Sequence, residues 1–450
     1  MHQVNYLTII LLITGIIVPV SAQTETIHVV QTPRNIRFKP PKAQLSVKSD
    51  VIAVQEESWK KDYEKYLEYD FNQAIMGANS VRKVLQKITN ETGKKSAVVY
   101  LIPGESELEI ILVKSNQEPI RKTISAANRQ NLIKVVKKFQ SEINDIKQVD
   151  NQNYLADAQQ LYQWLIAPIA QDLQAENIDT LLFCVGVGLR SLPFSALHDG
   201  KQFLVEKYST SLIPAFSLTN TRYTDIRNSP VLAMGASQFQ NLEPLPSVPV
   251  ELSTIVQNKG GSNFLNDKFT VDNLRSQRQQ QFYKIVHLAT HGVFTSGAVS
   301  NSYIQFWNTR VRLNQLRNLQ LNTPPVDLLV LSACQTALGD EEAELGFSGL
   351  ALEAGAKSAI GSLWSVSDVG TLALMTEFYS QLNTLPIKAD ALRQAQIIML
   401  HKQIQIRQGQ LQQLRSSRKI PLPPEMAKIG DFDLSHPYYW AAFTMIGSPW

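Results

Sequence analysis

The spacing of apolar and polar positions divides the chain into a short apolar start, a polar stretch and a long region of alternating strand and helix patterns. Leu7 to Val18 (LTIILLITGIIV) is an apolar run of about 12 residues, short of the about 20 that a membrane-crossing helix needs. Pro19 and the small residues Val20-Ser21-Ala22 follow, so the pattern predicts a signal peptide over residues 1–22, cut after Ala22. The preceding MHQVNY carries no Lys or Arg, which leaves an uncleaved anchor as the alternative. Cleavage implies an exported chain, periplasmic or extracellular, with no stable membrane insertion. Retention implies an N-terminally anchored form.

Residues 23–55 are polar, aperiodic and punctuated by proline, which predicts an extended linker. Over 56–92 the period turns helical, with Trp59, Tyr63, Tyr66, Leu67, Val81, Leu85 and Ile88 between charged residues. Ser96 to Val113 reads as a hairpin around Pro103-Gly104-Glu105-Ser106. Helical stretches follow at about 125–147 and 153–174, then Thr180 to Val187 (TLLFCVGV) as a buried strand. Ser229-Pro230 marks a seam between a first lobe, 95–225, and a second, 229–450.

In the second lobe, VLAMG (231–235), IVHLA (285–289), VDLLVLS (326–332), AIGSL (359–363) and AAFTMI (441–446) read as strands. Helices are predicted at 249–256, 350–354, 371–382 and, rich in glutamine, 391 to about 414. Strands alternating with helices imply an α/β fold, a mainly parallel sheet with helices on both faces.

Composition narrows the classes. Apolar residues are 44% of the 450 and charged residues 18%, an ordinary globular balance. The 43 basic and 39 acidic residues leave a net charge of +4, with no dense basic stripe, so nucleic acid is not an expected partner. Two cysteines, Cys184 and Cys334, do not make a disulfide scaffold. They could form one bridge, which would disable either as a nucleophile. Gly186-x-Gly188 lacks the third glycine of a dinucleotide fingerprint, and no cofactor is expected.

Two strand ends could carry chemistry. The apolar run through Val286 closes on Ala289-Thr290-His291-Gly292, and the run through Leu328 closes on Ser332-Ala333-Cys334-Gln335-Thr336. Ligands and catalytic groups collect at the carboxyl ends of strands in α/β sheets. A thiol is a poor nucleophile until an imidazole takes its proton, and two strand ends of one sheet can bring such a pair together. His287 and His291 are four apart, but no glutamate follows His287 and the pattern is a strand, so no metal is expected. His287 reads as structural, Cys184 as a packed inert thiol, and His198-Asp199-Gly200 as a turn. The run Asp340-Glu341-Glu342-Ala343-Glu344 reads as a solvated loop, with a gating or processing segment as the alternative. No G-x-S-x-G elbow is present for an α/β hydrolase.

HLATHG (287–292) and LSACQTALGD (331–340) together resemble the CHAT family of the caspase–separase superfamily. The stretches LRSLPFSALHDG (189–200), LWSVSD (363–368) and HPYYWAAF (436–443) fit the same family in the same order, and the resemblance runs over about 95–450. It implies a caspase-like fold with a non-catalytic N-terminal pseudo-caspase-like lobe and a catalytic second lobe. By the same resemblance His291 matches the catalytic histidine and Cys334 the nucleophile. The backbone N–H groups of Gly292 and Cys334 match the oxyanion hole. Asp368 matches the acid that binds a basic side chain before the cleaved bond; the alternative is that it caps the helix beginning near Gly370. The implied activity is a cysteine endopeptidase acting through a thioester, on a protein or peptide substrate, with a regulatory protein partner open. The alternative is a catalytically silent module that binds or scaffolds other proteins.

Overall fold

The computed structural model describes residues 50–414 and 418–450, and most of the apolar runs join one 13-stranded sheet. The predicted signal peptide and nearly all of the linker lie outside the described residues.

The first half begins with helices α1 (Val51–Leu67) and α2 (Ala78–Thr92). Strands β1 (Ser96–Pro103), β2 (Leu108–Val113) and β3 (Ile120–Ile124) form an antiparallel meander. Helices α3 (Arg129–Ile143), α4 (Tyr154–Leu165) and α5 (Ala170–Ala175) lead to β4 (Thr180–Val185), the short α6 (Leu204–Lys207) and β5 (Ser209–Ile213). The helical spacing at 56–92 is therefore two helices, not one. Glu68 adopts φ 53° and ends α1, and Gly77 precedes α2. Helix α1 starts at Val51, inside the stretch expected as linker, because the Asp50 carboxylate accepts the N–H groups of Ile52 and Ala53.

The second half runs β6 (Val231–Gly235), α7 (Val248–Lys259), β7 (Gly261–Leu265), α8 (Val271–Gln280) and β8 (Ile285–Phe294). A small hairpin, β9 (Tyr303–Gln305) and β10 (Arg310–Arg312), precedes β11 (Leu328–Thr336), α9 (Glu341–Ser348), α10 (Leu350–Ala354) and β12 (Ser358–Ser362). Then come α11 (Asp368–Gln381), α12 (Lys388–Leu400), a separate four-stranded sheet of β13 (Ile404–Arg407), β14 (Gln410–Gln413), β15 (Arg418–Pro421) and β16 (Phe432–Asp433), the turn of helix α13 (Pro437–Trp440), and β17 (Phe443–Gly447).

The strand path is β10-β9-β8-β11-β12-β17-β5-β4-β1-β2-β3, with β6 and β7 added beside β8. Parallel pairs hold the centre of each half, β8 with β11 and β12 in one and β1 with β4 and β5 in the other. The fold is thus the expected α/β class, a mainly parallel sheet flanked by helices. Strand β17 joins the halves: it runs antiparallel to β12 and pairs in parallel with β5.

Three local expectations fail. The glutamine-rich helix stops at Leu400, and 404–413 is a β-hairpin. Its turn sits at Gln408 and Gly409, both at positive φ (50° and 69°), which suits a two-residue hairpin loop and breaks a helix. The acidic run at 340–344 is the start of α9, not a loop. Asp340 caps it by accepting the Ala343 N–H, and carboxylates in a first turn are favoured by the helix dipole. Strands β8 and β11 also continue past His291 and Cys334, to Phe294 and Thr336.

Candidate active site

The site grows from the ladder between β8 and β11. Leu331 pairs with Leu288, and then the register shifts so that Ala333 pairs with His291 and Cys334 with Gly292. Ala289 and Thr290 on β8 face Ser332 alone across this irregularity, and such bulges redirect the backbone beside them. The two chemical candidates therefore lie on adjacent strands, one register position apart.

His291 is half-buried, and Nε2 donates to the carbonyl oxygen of Glu243 at 2.8 Å. A carbonyl only accepts, so the proton sits on Nε2 and Nδ1 is the basic nitrogen of the neutral ring. Phe239 meets the ring edge-on at 4.7 Å between centroids. Both contacts come from the 236–246 segment after β6, held by Ser237 N–H and Oγ donating to the Asn266 side chain (2.9 and 3.3 Å). The sequence carried no signal for Glu243, since its backbone makes the contact.

Asp368 is the first residue of α11, and the cap is its neighbour: Ser367 Oγ accepts from Gly370 N–H at 3.1 Å. The Asp368 carboxylate accepts from Ser247 N–H (2.6 Å) and Ser247 Oγ (2.5 Å), tying α11 to the start of α7. Burial pushes its pKa up to about 6 against these hydrogen bonds. It also lines a cavity of about 840 Å³ with Asp150, Asp433, Tyr154, His436 and Tyr439. Ser367, Asp368 and Val369, at the start of the helix that follows β12, form part of its wall. Burial lowers the His436 pKa to about 4, so that ring is neutral at pH 7. Trp364 Nε1 donates to the Tyr438 carbonyl (3.1 Å) and Tyr438 OH to the Ser365 carbonyl (3.1 Å), which fastens the 363–368 stretch to the 436–443 stretch.

The remaining candidates are structural. His287 is fully buried, with Nε2 2.9 Å from Glu251 Oε1 and Nδ1 3.2 Å from Tyr379 OH, bridging α7, β8 and α11. Cys184 is a free, buried thiol whose Sγ lies 3.9 Å from Glu56 Oε1, and burial raises its pKa well above the ordinary thiol value. His198 and Asp199 sit in a turn where Asp199 pairs with Lys207. Glu344, in the run expected to be solvated, is buried and accepts from Ser191 Oγ (2.6 Å) and Gly188 N–H (3.1 Å).

A second cavity of about 800 Å³ opens between Gln238–Leu242 and the β9–β10 turn with Trp307 and Arg310.

The CHAT domain matches residues 155–448, more than half of the chain. The chain belongs to the CHAT family. No curated protein matches it in sequence. Among solved structures, separase in the Saccharomyces cerevisiae separase–securin complex superposes with a TM-score of 0.51 at 8% identity, covering 88% of this chain and 33% of that one. A second structure of that complex gives 0.49 at 8% identity, covering 88% and 34%. The first likeness shows the fold: this CHAT chain has the separase-like, caspase-like architecture, and it spans about a third of that neighbour's length.

Proposed function

We propose that this CHAT protein is a cysteine endopeptidase with Cys334 as nucleophile and His291 as its acid–base partner. The observation that carries the reading is the ladder register, Cys334 beside Gly292 and Ala333 beside His291, with Nε2 of His291 engaged by Glu243. Nδ1 takes the thiol proton. The thiolate attacks the scissile carbonyl, and the oxyanion is received by the backbone N–H groups of Gly292 and Cys334. The C–N bond then breaks, the leaving amine takes the proton from Nδ1, and a thioester remains. Water, deprotonated by His291, cleaves the thioester and releases the acid and the thiol.

The acyl side of the substrate carries a basic residue in this reading. Asp150, Asp368 and Asp433 line the cavity of about 840 Å³ against only Lys402 as a cation, and aromatic walls suit the stem of Arg or Lys. The neighbour's complex with securin supports a regulatory protein partner here as well, and the 1–22 pattern supports export.

The test is labelling of the purified chain, under reducing conditions, by a peptide chloromethyl ketone ending in Arg. Labelling lost in Cys334→Ala and His291→Ala supports the peptidase. Absence of labelling and of any cleavage turns the reading to a non-catalytic scaffold.

A further inference from the structure

Dyad chemistry fixes the direction in which a substrate crosses the site, and the second cavity then acquires a role. This rests on the peptidase reading above. The group that protonates the leaving amine is His291, so the amine, and every residue after the cleaved bond, must lie on the His291 side of Cys334. That side is defined by the sheet. Strands β6 and β9 both flank β8 on the edge away from β11, β6 at Val231–Gly235 and β9 at Tyr303 and Ile304. The cavity of about 800 Å³ is built from the segments that follow these two strands. It neighbours His291 through its wall: Phe239 packs against the imidazole, and Leu242 precedes the residue whose carbonyl holds Nε2.

The lining differs in charge from that of the cavity at Asp368. Arg310 is its one charged residue; the rest are amides, Thr309, Phe239, Leu242 and the exposed Trp307. Arg310 is held in place: its Nε donates to Gln305 Oε1 at 3.1 Å, and its guanidinium stacks 4.5 Å above the Tyr303 ring. Both partners are neutral, and among the described residues no carboxylate pairs with it. The outer guanidinium nitrogens are thus available for a carboxylate, the partner their planar fork fits best.

We infer that the cavity between Gln238–Leu242 and Trp307–Arg310 binds the residues after the cleaved bond and that Arg310 selects an acidic side chain there. The substrate is then charge-asymmetric, basic before the bond and acidic within the first few residues after it. Side-chain and backbone amides of the extended leaving strand meet Gln238, Gln240 and Asn308 on the walls.

The experiment compares quenched fluorescent peptides identical up to and including an Arg before the bond and carrying Glu, Gln or Lys at each of the three following positions. Wild type is expected to favour Glu over Lys in kcat/KM by about tenfold at low salt, as a charge-assisted contact implies. Arg310→Glu is expected to reverse the order, and Arg310→Gln to flatten it. Equal rates on the three peptides in a wild type that cuts them overturn the Arg310 assignment and leave the peptidase standing. A wild type that neither cuts them nor is labelled at Cys334 overturns both.

Discussion

The carbonyl oxygen of Glu243 lies 2.8 Å from His291 Nε2. A backbone group thus sets the tautomer of the ring, leaving Nδ1 as the nitrogen that the proposed dyad needs. The same loop places Phe239 edge-on against the imidazole. Removing that ring in Phe239→Ala forfeits an aromatic contact worth about 0.5–1.5 kcal/mol and loosens the His291 rotamer. The expected outcome is a fall in kcat of about 2–10-fold with KM on acyl-side peptides little changed. Steady-state kinetics on peptides that end in a fluorogenic amide directly after the Arg read both; an unchanged kcat would mean that Phe239 does not orient the imidazole.

Asp368 gives the proposed basic preference a pH signature. Its carboxyl titrates at about 6, so it is neutral below that pH and charged above it. Selectivity for Arg over an isosteric neutral residue is therefore expected to rise as pH increases through about 6. Asp368→Asn should remove the pH dependence of that ratio and lower kcat/KM on Arg peptides by about tenfold. A ratio unaltered between pH 5 and 8 in wild type would show that Asp368 only ties α7 to α11. For stability the sign is opposite: because the folded pKa is raised above 3.8, stability from this group is fully present below pH 3.8 and is lost as pH rises through about 6.

Glu344 pins α9, the helix after β11, to the 188–191 loop of the first half. Glu344→Ala leaves Ser191 Oγ and Gly188 N–H without their acceptor and is expected to destabilise by about 2–4 kcal/mol. Glu344→Gln, which keeps an acceptor oxygen, should cost less. Urea denaturation of the three proteins checks the order, and equal midpoints would mean that water replaces the carboxylate.

His436 makes the fold acid-sensitive. Its ring is neutral in the folded chain, with a pKa of about 4 against 6.5 when unfolded. A depressed histidine makes folding weaker as pH falls from 6.5 towards 4, by no more than about 3 kcal/mol. His436→Asn keeps a side chain able to cap α13, where Nδ1 accepts from Tyr438 N–H at 3.1 Å. It is expected to flatten the thermal midpoint between pH 7 and 4.5 relative to wild type. Parallel pH curves would place the acid sensitivity elsewhere.

Much of the fold was legible because the apolar runs at 180–185, 231–235, 285–289 and 328–332 are buried parallel strands, which read as continuous hydrophobic stretches. The glutamine-rich segment misled because glutamine is a good helix former and helical spacing continues from α12. The true signals were Gly409 and the alternation of Ile404 and Ile406. The acidic run misled because charge density suggests solvent, whereas Glu344 faces buried donors that lie far away in sequence. In the candidate site, His291, Gly292 and Cys334 stood out as residue types where the apolar runs of β8 and β11 give out, short of the strands' ends. The Glu243 carbonyl, the Phe239 contact and the Ser247–Asp368 link depend on how α7 and its preceding loop pack, which local pattern does not encode.

The placement of β17 has a consequence for how this protein comes into being. The strand that unites the two half-sheets follows every other strand in the chain. A ribosome therefore releases both residues of the proposed dyad before it releases the seam that closes the sheet. Until then β12 and β5 leave the backbone N–H and C=O groups that pair with β17 unmatched, and such edges invite pairing with other chains. The nascent polypeptide thus passes through a vulnerable interval, and its two half-sheets join only once β17 has emerged.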